Sequence, residues 1–537
     1  MNRRNFIRLT GASAGALLLS RYATAGGAPA TGIALPDAVH VLWNNEFVPM
    51  QSADQQNWTY RDITVQLENG RDVVAVYIQS PETALAEIRI SWKFATPREA
   101  KLLGDAWERS YADLSFQSPE ATAKMPWYCI AHNHKETSCF GVKTGCSAFC
   151  YWRIDTGNLH LHLDTRNGSD GVLLGNRRLH AADIVTTKNS GRENLFATAR
   201  RFCGLLCDQP LSVKQPVYGI NDWYFAYGNN SAKLILEHTA LLSPLATSTL
   251  NRPFSVIDDG WSEGTDFART NHKFPDMPKL VDDIRQLGMR PGLWTRPLLA
   301  KPGVNSNLLI PGRGDILDPT LDENIHYVQQ LLHLYKEWGF ELVKHDYTTF
   351  DIFGRWGKEM NQSMTAPGWQ FHDRSRTNAE IILQLYRAIR AASPDMYLIG
   401  CNTISHLSAG VFELYRTGDD TSGKEWERTK EMGVNTMGFR MVQHRTFYEA
   451  DGDCVGLTTA IPWDKNKQWM QLLAQSSAPL FISAQPEAVG AEQRAFIRKS
   501  FLEAARTLPV AEPLDWLENQ FPSRWRLDGK TVRFNWD

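Results

Sequence analysis

Asp346 and Asp420 are the residues of this chain whose type and position most favour chemistry. Each ends a short apolar run, residues 340–346 and 411–420, with the length of a buried strand. In a parallel barrel, carboxylates at the carboxyl ends of different strands converge on one mouth. Two carboxylates across a sugar ring serve glycoside hydrolysis, one stabilising the oxocarbenium-like carbon and the other protonating the leaving oxygen. The pair therefore predicts a glycosidase of the retaining kind.

The elements that would position these carboxylates alternate between strands and amphipathic helices. Eight candidate strands lie at residues 217–223, 254–258, 290–295, 341–345, 396–401, 412–416, 446–450 and 479–483. This rhythm predicts an α/β fold, a (β/α)8 TIM barrel, over residues 211–508. A doubly wound open sheet is the alternative, but no glycine-rich phosphate loop follows the first strand.

The regions flanking the predicted barrel have a different pattern. Residues 32–205 contain runs that alternate apolar and polar side chains with a period of two, which predicts an antiparallel β-sandwich domain. Residues 193–207 have helical spacing and are expected to link this domain to the barrel. Residues 509–537 predict a short β hairpin around Asp528 and Gly529, which is too small to fold alone.

The first residues have the three parts of an export signal in the right order. Arg3 and Arg4 are followed by a weakly apolar run over residues 9–20 and by an Ala-Thr-Ala cleavage site at 23–25. We therefore predict a twin-arginine signal peptide over residues 1–25 and a periplasmic or secreted protein. An ordinary basic N-terminus is the alternative. The apolar run is too short to span a bilayer, so no membrane association is expected after signal removal.

Composition excludes several classes of partner and cofactor. The formal net charge of −2 gives no electrostatic footprint for nucleic acid or an anionic membrane. Cys139, Cys146 and Cys150 are close enough in sequence to offer a disulfide, although the pairing stays open. Cys146 and Cys150 with His132 and His134 match no standard zinc module, so no metal site is predicted.

Six segments carry a resemblance to known enzymes. In chain order they are residues 216–224, 256–261 with 273–277, 292–297, 342–346, 416–420 and 451–453. This order resembles the α-galactosidases of glycoside hydrolase families 27 and 36 and their clan, over roughly residues 216–505. The N-terminal β-rich region is more similar to family 36. The segment Asp451-Gly-Asp453 resembles the Asp-Pro-Asp segment of family 27.

The resemblance implies the catalytic roles. Asp346 matches the clan's nucleophile, and Asp420 matches its acid/base, four residues after Arg416. Asp419 is the rival for the second role. Neighbouring residues of a strand point to opposite sides, so only one of the two is expected to face the sugar ring.

The substrate-binding residues follow from the same comparison. Asp258 and Asp259 match the pair that accepts hydrogen bonds from the outer hydroxyls of galactose. Lys344 lies two residues before Asp346, which places both on one side of the strand, and a buried lysine is costly without partners. Trp223, Trp261 and Trp294 are candidate walls, with Trp294 preferred. The predicted binding set is Asp258, Asp259, Trp294, Lys344, Cys401, Asn402, Arg416 and Asp453.

Two departures from the families leave the sugar open. His345 stands where an aromatic residue is usual, and we expect it to alternate away from the pocket as a hydrogen-bonded structural histidine. Asn402 stands where family 27 carries a Glu or Ser that senses the 2-substituent of the sugar.

The leading hypothesis is an exported retaining exo-glycosidase that releases terminal α-galactosyl residues from oligosaccharides, with no metal or organic cofactor. The alternatives are a related sugar (a β-L-arabinopyranoside or an α-N-acetylgalactosaminide), transglycosylation, and a non-catalytic glycan-binding protein. A sugar-phosphate barrel enzyme is disfavoured because residues 477–486 offer no glycine-rich phosphate loop.

Overall fold

The computed structural model describes residues 34–537 apart from 97–98, 120–122, 156, 190 and 192. The predicted signal peptide lies outside the described residues, so that prediction stays as it is. Within the described part of the chain, no helix combines the length and the apolar character needed to cross a membrane.

The N-terminal region consists of two antiparallel sheets whose inward side chains share one core. Their side chains alternate: along residues 63–67 and 74–80 every second side chain is buried. The strands are β1 (Ala38–Trp43), β2 (Glu46–Pro49), β3 (Asn57–Tyr60), β4 (Ile63–Asn69), β5 (Val74–Ser80), β6 (Glu87–Lys93), β7 (Lys101–Gly104), β8 (Met125–Pro126), β9 (Tyr128–His132), β10 (Thr137–Val142), β11 (Phe149–Asp155), β12 (Asn158–Asp164) and β13 (Gly175–Asn189). Their orders are β2-β1-β6-β12-β11-β8 and β3-β4-β5-β13-β10-β9-β7.

A helix joins this region to the barrel, as its spacing predicts. Helix α1 (Leu195–Leu206) begins at Asn194, whose side chain accepts a hydrogen bond of 2.8 Å from the Ala197 amide. Its buried face includes Phe202 and Leu206, which pack against β10 at Gly141, where an added Cβ would lie 3.0 Å from the Phe202 ring.

Eight parallel strand positions form the barrel, and the predicted fold class is confirmed. The strands of this part of the chain, with a small hairpin β16–β17 outside the barrel sheet, are β14 (Tyr218–Asn221), β15 (Phe254–Ile257), β16 (Ser262–Glu263), β17 (Asp266–Thr270), β18 (Arg290–Thr295), β19 (Leu342–His345), β20 (Tyr397–Gly400), β21 (Leu414–Arg416), β22 (Glu449–Asp451), β23 (Cys454–Leu457) and β24 (Leu480–Ala484). Nearly every residue of the barrel strands is buried, as expected for a sheet covered on both faces.

The seventh strand position is interrupted. β22 pairs with β21, β23 pairs with β24, and Gly452 and Asp453 separate the two halves. Asp453 has a φ of 72°, and a Cβ on Gly452 would lie 2.8 Å from Met437. β24 also pairs with β14, so the ring of strands closes through this break.

Helices cover the outside of the barrel and fill its connections. They are α2 (Trp223–Ala226), α3 (Ala232–Leu242), α4 (Met277–Gln286), α5 (Asp322–Trp338), α6 (Thr348–Phe353), α7 (Gly357–Met360), α8 (Asn378–Ala392), α9 (Ser405–Ser408), α10 (Trp426–Thr429), α11 (Thr436–Arg440), α12 (Trp463–Gln475) and α13 (Ala491–Ala504). Local signals fix their ends: Gly339 ends α5 with a φ of 97°, and Thr377 and Glu380 form a capping box at the start of α8.

The C-terminal segment is a three-stranded antiparallel sheet, one short strand more than the predicted hairpin. Its strands are β25 (Glu512–Pro513), β26 (Arg524–Leu527) and β27 (Lys530–Arg533). It packs on the barrel, where the Trp426 indole donates a hydrogen bond of 2.8 Å to the Trp536 carbonyl.

Candidate active site

Asp346 lies directly after β19, at the carboxyl end of the fourth barrel strand. Its Oδ2 accepts a hydrogen bond of 3.0 Å from the Trp294 indole, and its Oδ1 accepts from the Tyr347 and Asn402 amides at 2.8 and 3.0 Å. Burial works to raise the pKa of Asp346, but the nearby Arg109 and Lys344 cations outweigh burial and hold that pKa below its usual range. The carboxylate is therefore fixed in position, and its ionised form is favoured.

Lys344 forms a buried ion pair across the barrel interior. Its Nζ lies 2.8 Å from Oδ2 of Asp258, which follows β15, and the two side chains are 10% and 3% exposed. Burial would lower the pKa of Lys344, but Asp258 outweighs burial and holds it well above the usual value. The period-two argument is consistent with this geometry, because Lys344 and Asp346 both extend from β19 toward the strands around Asp258 and Trp294.

Asp258 and Asp259 occupy different environments. Asp258 also accepts a hydrogen bond of 2.7 Å from the Asn221 amide group, and its own backbone N–H donates to Asp222. Burial, with the charge of Asp258, raises the pKa of Asp222 to about 7. Asp259 is partly exposed, and its Oδ1 accepts from the Gly260 N–H at 2.7 Å. Asp259 thus has acceptor capacity left for a hydroxyl from outside.

Asp420 is more exposed to solvent than Asp346. Its side chain is 34% exposed, and its Oδ1 lies 3.2 Å from Arg416 and 3.6 Å from Arg109. Partial burial would raise the pKa of Asp420, but Arg416, Arg109 and Lys344 lower it to about 2. In the free protein Asp420 is therefore an ionised group that can still meet a ligand.

Asp419 is held by two arginines. Its Oδ1 lies 2.8 Å from Arg109 and its Oδ2 lies 2.8 Å from Arg428. Both oxygens are thus occupied by cations, whereas Asp420 keeps a free side. This arrangement favours Asp420 over Asp419 as the group that faces a ligand.

Arg416 connects Asp420 to the interrupted seventh strand. Its guanidinium is 1% exposed and lies 2.8 Å from Oδ2 of Asp453. The same Oδ2 accepts hydrogen bonds from the Thr421 amide at 2.9 Å and from the Tyr224 hydroxyl. Asp453 therefore serves in this structure as an anchor for Arg416, and its Oδ2 is already occupied by protein donors.

Cys401 and Asn402 lie after β20, beside Asp346. The Cys401 sulfur is 3.5 Å from Arg109 and 3.6 Å from Arg416. The Asn402 backbone donates to Asp346, but its side chain is fully buried, donating to Glu108 and accepting from the Phe350 amide at 2.9 Å. Asn402 thus holds Asp346 and the loop after it, and its side chain is buried among protein partners.

The three tryptophans predicted as possible walls of the pocket have different contacts. The Trp294 indole donates a hydrogen bond to Asp346. Trp261 is completely buried and donates to the Trp294 carbonyl at 2.9 Å, so it supports Trp294 from behind. Trp223 is partly buried and packs against Tyr227 at the start of the first barrel loop.

His345 alternates away from the site, as expected, but the expected hydrogen bonds are missing. Neither ring nitrogen has a partner among the described residues, and the ring packs edge-on against Tyr386 and Phe412. Burial lowers the pKa of His345 to about 3. The histidine is therefore a neutral packing residue, and the expectation of a hydrogen-bonded one was wrong.

Two residues of the site come from the N-terminal region and were not predicted. Arg109 contacts Asp419, Asp420 and Cys401, and Glu108 accepts hydrogen bonds from Asn402, Tyr111 and the Gly357 amide. Burial raises the pKa of Glu108 to about 7. Both lie in the connection after β7, where a Glu-Arg pair has the pattern of an ordinary solvated loop and gives no sequence signal of a site.

Among residues 34–537, apart from the few left undescribed, no cluster of three or more His, Cys, Asp or Glu side chains has a metal-binding arrangement. The eight cysteines are all free and buried.

Replacing Lys344 by methionine is expected to destabilise the protein by about 3–5 kcal/mol at neutral pH, because Asp258 would stay buried without its cation. Urea unfolding measures this loss. Lys279→Met is the matched control: Lys279 also pairs with an aspartate at 2.6 Å, but its side chain is 67% exposed, so about 1 kcal/mol or less is expected. Equal losses in the two variants would contradict a buried, energetically coupled pair.

The fold and the site together define a barrel protein with converging carboxylates at the carboxyl ends of its strands, preceded by a β-sandwich. No protein-family model and no curated protein matches the chain. Solved structures, in contrast, do match the chain. TtGalA, an α-galactosidase from Thermus thermophilus in complex with p-nitrophenyl α-D-galactopyranoside, is 16% identical, with 88% of this chain and 96% of that chain covered and a TM-score of 0.61.

Other α-galactosidases align similarly. A variant of the GH36 α-galactosidase AgaA from Geobacillus stearothermophilus in complex with raffinose is 11% identical, with 91% of this chain and 78% of that chain covered and a TM-score of 0.59. The α-galactosidase from Lactobacillus brevis is 13% identical, with coverage of 82% and 65% and a TM-score of 0.56. The resemblance predicted from the six segments is thus confirmed at the level of the fold.

Proposed function

We propose that this protein is a retaining glycoside hydrolase that releases terminal α-galactosyl residues from oligosaccharides. The observation that carries the proposal is the environment of Asp346, an ionised carboxylate held by three hydrogen bonds at the mouth of a barrel shared with α-galactosidases. A fixed anion at this place stabilises an oxocarbenium-like transition state without reorganising during the reaction.

In the first step Asp346 attacks the anomeric carbon from the face opposite the leaving group, and a covalent β-glycosyl–aspartate forms. Asp420 donates a proton to the departing glycosidic oxygen. The sugar hydroxyls meet Asp259 and the Asp258–Lys344 pair, and Trp294 covers one side. Charged acceptors in this position reward the correct orientation of each hydroxyl.

The pKa of about 2 for Asp420 in the free protein determines when that group can act. Because its side chain is 34% exposed, a bound sugar removes water from it, and desolvation raises the pKa of a carboxyl group. Substrate binding therefore works toward the protonated form of Asp420 that the first step requires. In the second step its ionised form, favoured by Arg416 and Arg109, takes the proton from the water that cleaves the intermediate.

A panel of nitrophenyl glycosides tests the proposal. We expect hydrolysis of the α-galactoside with release of α-galactose as the first product, which proton NMR of the fresh reaction distinguishes from inversion to the β anomer. Turnover of a β-L-arabinopyranoside or an α-N-acetylgalactosaminide instead would keep the mechanism and change the sugar. Binding of galactosides with no turnover of any member would replace the enzyme by a glycan-binding protein.

A further inference from the structure

The connection after β7 pairs with the chain segment that carries Asp420. The Ser110 amide donates to the Thr417 carbonyl at 2.9 Å, and the Asp419 amide donates to the Ser110 carbonyl at 2.9 Å. This is the pattern of a short parallel bridge between the N-terminal region and the loop after β21. The bridge places Arg109 beside the two aspartates.

Arg440 fixes this connection from the barrel side. The Arg440 guanidinium is completely buried, its Nε lies 2.9 Å from Asp105, and its Nη1 donates to the Thr417 carbonyl at 3.1 Å. It also donates to the carbonyl groups of Ala106 and Glu108. The backbone on both sides of Arg109 is therefore immobilised against the loop of the acid/base.

The Arg109 side chain itself is 6% exposed and spans two carboxylates. One nitrogen lies 2.8 Å from Asp419 Oδ1, and another lies 3.6 Å from Asp420 Oδ1 and 3.5 Å from the Cys401 sulfur. The Trp356 ring lies 5.4 Å from the guanidinium carbon and shields it further. A planar, forked cation can hold two acceptors at fixed angles, which a lysine cannot do.

We propose that Arg109, from the N-terminal region, is the positioning residue of the acid/base Asp420. Its contact with Asp419 anchors the guanidinium, and its second nitrogen orients the Asp420 carboxylate toward the glycosidic oxygen. Arg416 holds Asp420 from within the barrel, and Arg109 holds it from the opposite domain. This inference rests on the proposed function, in which Asp420 protonates the leaving group.

Leaving groups of different basicity test the inference. In Arg109→Met we expect kcat/KM for raffinose, whose leaving group needs a proton, to fall about 100-fold. For nitrophenyl α-galactoside, whose leaving group departs as an anion, we expect a loss below about 10-fold. Arg109→Lys should fall between wild type and Arg109→Met, because a single ammonium cannot bridge both carboxylates.

Arg428→Met is the matched control. Arg428 also lies 2.8 Å from Asp419, but it has no contact with Asp420 among the described residues. Its kcat/KM is expected to stay within about twofold of wild type for both substrates, since an exposed partner contributes little. The same selective loss in Arg428→Met would overturn the inference, because pairing with Asp419 alone would then explain it.

Equal losses for the two substrates in Arg109→Met would also overturn the inference, since they indicate a role in binding or folding. If Arg109→Met fails to fold, as judged by circular dichroism, Arg109→Lys decides: a selective loss supports the inference and wild-type behaviour overturns it. If wild type prefers another glycoside, the same comparison uses its aryl and sugar forms. If wild type cleaves no glycoside, the proposed function has failed and the inference falls with it.

Discussion

Asp346→Gly is expected to lower kcat for nitrophenyl α-galactoside by at least about 10⁴-fold, because no other group can form the covalent intermediate. The loss should be largely in the chemical step, since the sugar hydroxyls still meet Asp259 and the Lys344–Asp258 pair. Steady-state kinetics with the purified variant measures the loss. The three donors that hold Asp346 would remain around the cavity left by the missing carboxylate.

Azide provides the control for this prediction. A small anion that enters the cavity of Asp346→Gly should attack the same face of the anomeric carbon and release β-galactosyl azide, with activity rising with azide concentration. Wild type in azide should release galactose alone. Rescue that produces the α-azide, or an Asp346→Gly variant that keeps more than about a tenth of wild-type turnover, would remove Asp346 from the role of nucleophile.

Asp420→Ala is expected to lose about 10²–10⁴-fold in kcat/KM for raffinose and much less for an activated aryl galactoside, because only the sugar leaving group requires the proton. With the aryl substrate the intermediate should form quickly and accumulate, since the base of the second step is also missing. With the aryl substrate, one stopped-flow trace measures both steps: a burst of nitrophenol reports rapid formation of the intermediate, and the slow phase after it reports its slow hydrolysis.

The neighbouring carboxylate is the comparison for Asp420→Ala. Asp419 is held by Arg109 and Arg428 on both oxygens, so Asp419→Ala should show no burst and no abrupt dependence on the leaving group. A burst in Asp419→Ala with none in Asp420→Ala would transfer the acid/base role to Asp419.

The central features of the barrel could be predicted because they are local. A strand of period two fixes the relation between Lys344 and Asp346, and glycines such as Gly339 mark the helix ends. Parallel strands then bring the ends of β15, β19 and β21 together whatever the details of packing. The need of a buried Lys344 for partners could also be predicted, but its partner Asp258 becomes known only from the structure.

The rest of the site depends on contacts that no local pattern encodes. Arg109 contacts Cys401, which lies 292 positions later in the sequence. Glu108 of the N-terminal region accepts a hydrogen bond from the Asn402 side chain. That contact involves a residue outside the barrel, so the barrel sequence alone could not predict it. His345 has the predicted orientation. Its surroundings, however, are set by Tyr386 of α8 and by Phe412 before β21, which the local sequence around His345 does not encode.

The pairing of Ser110 with the segment 417–419 also limits how the molecule can move. A hinge rotation of the sandwich away from the barrel would break both backbone hydrogen bonds and the buried contacts of Arg440 with Asp105 and Thr417. Rotation of the sandwich away from the barrel would therefore also displace the segment that carries Asp419 and Asp420. If the proposed function holds, we expect ligand exchange to use local motions of side chains and loops, because they leave these backbone hydrogen bonds intact.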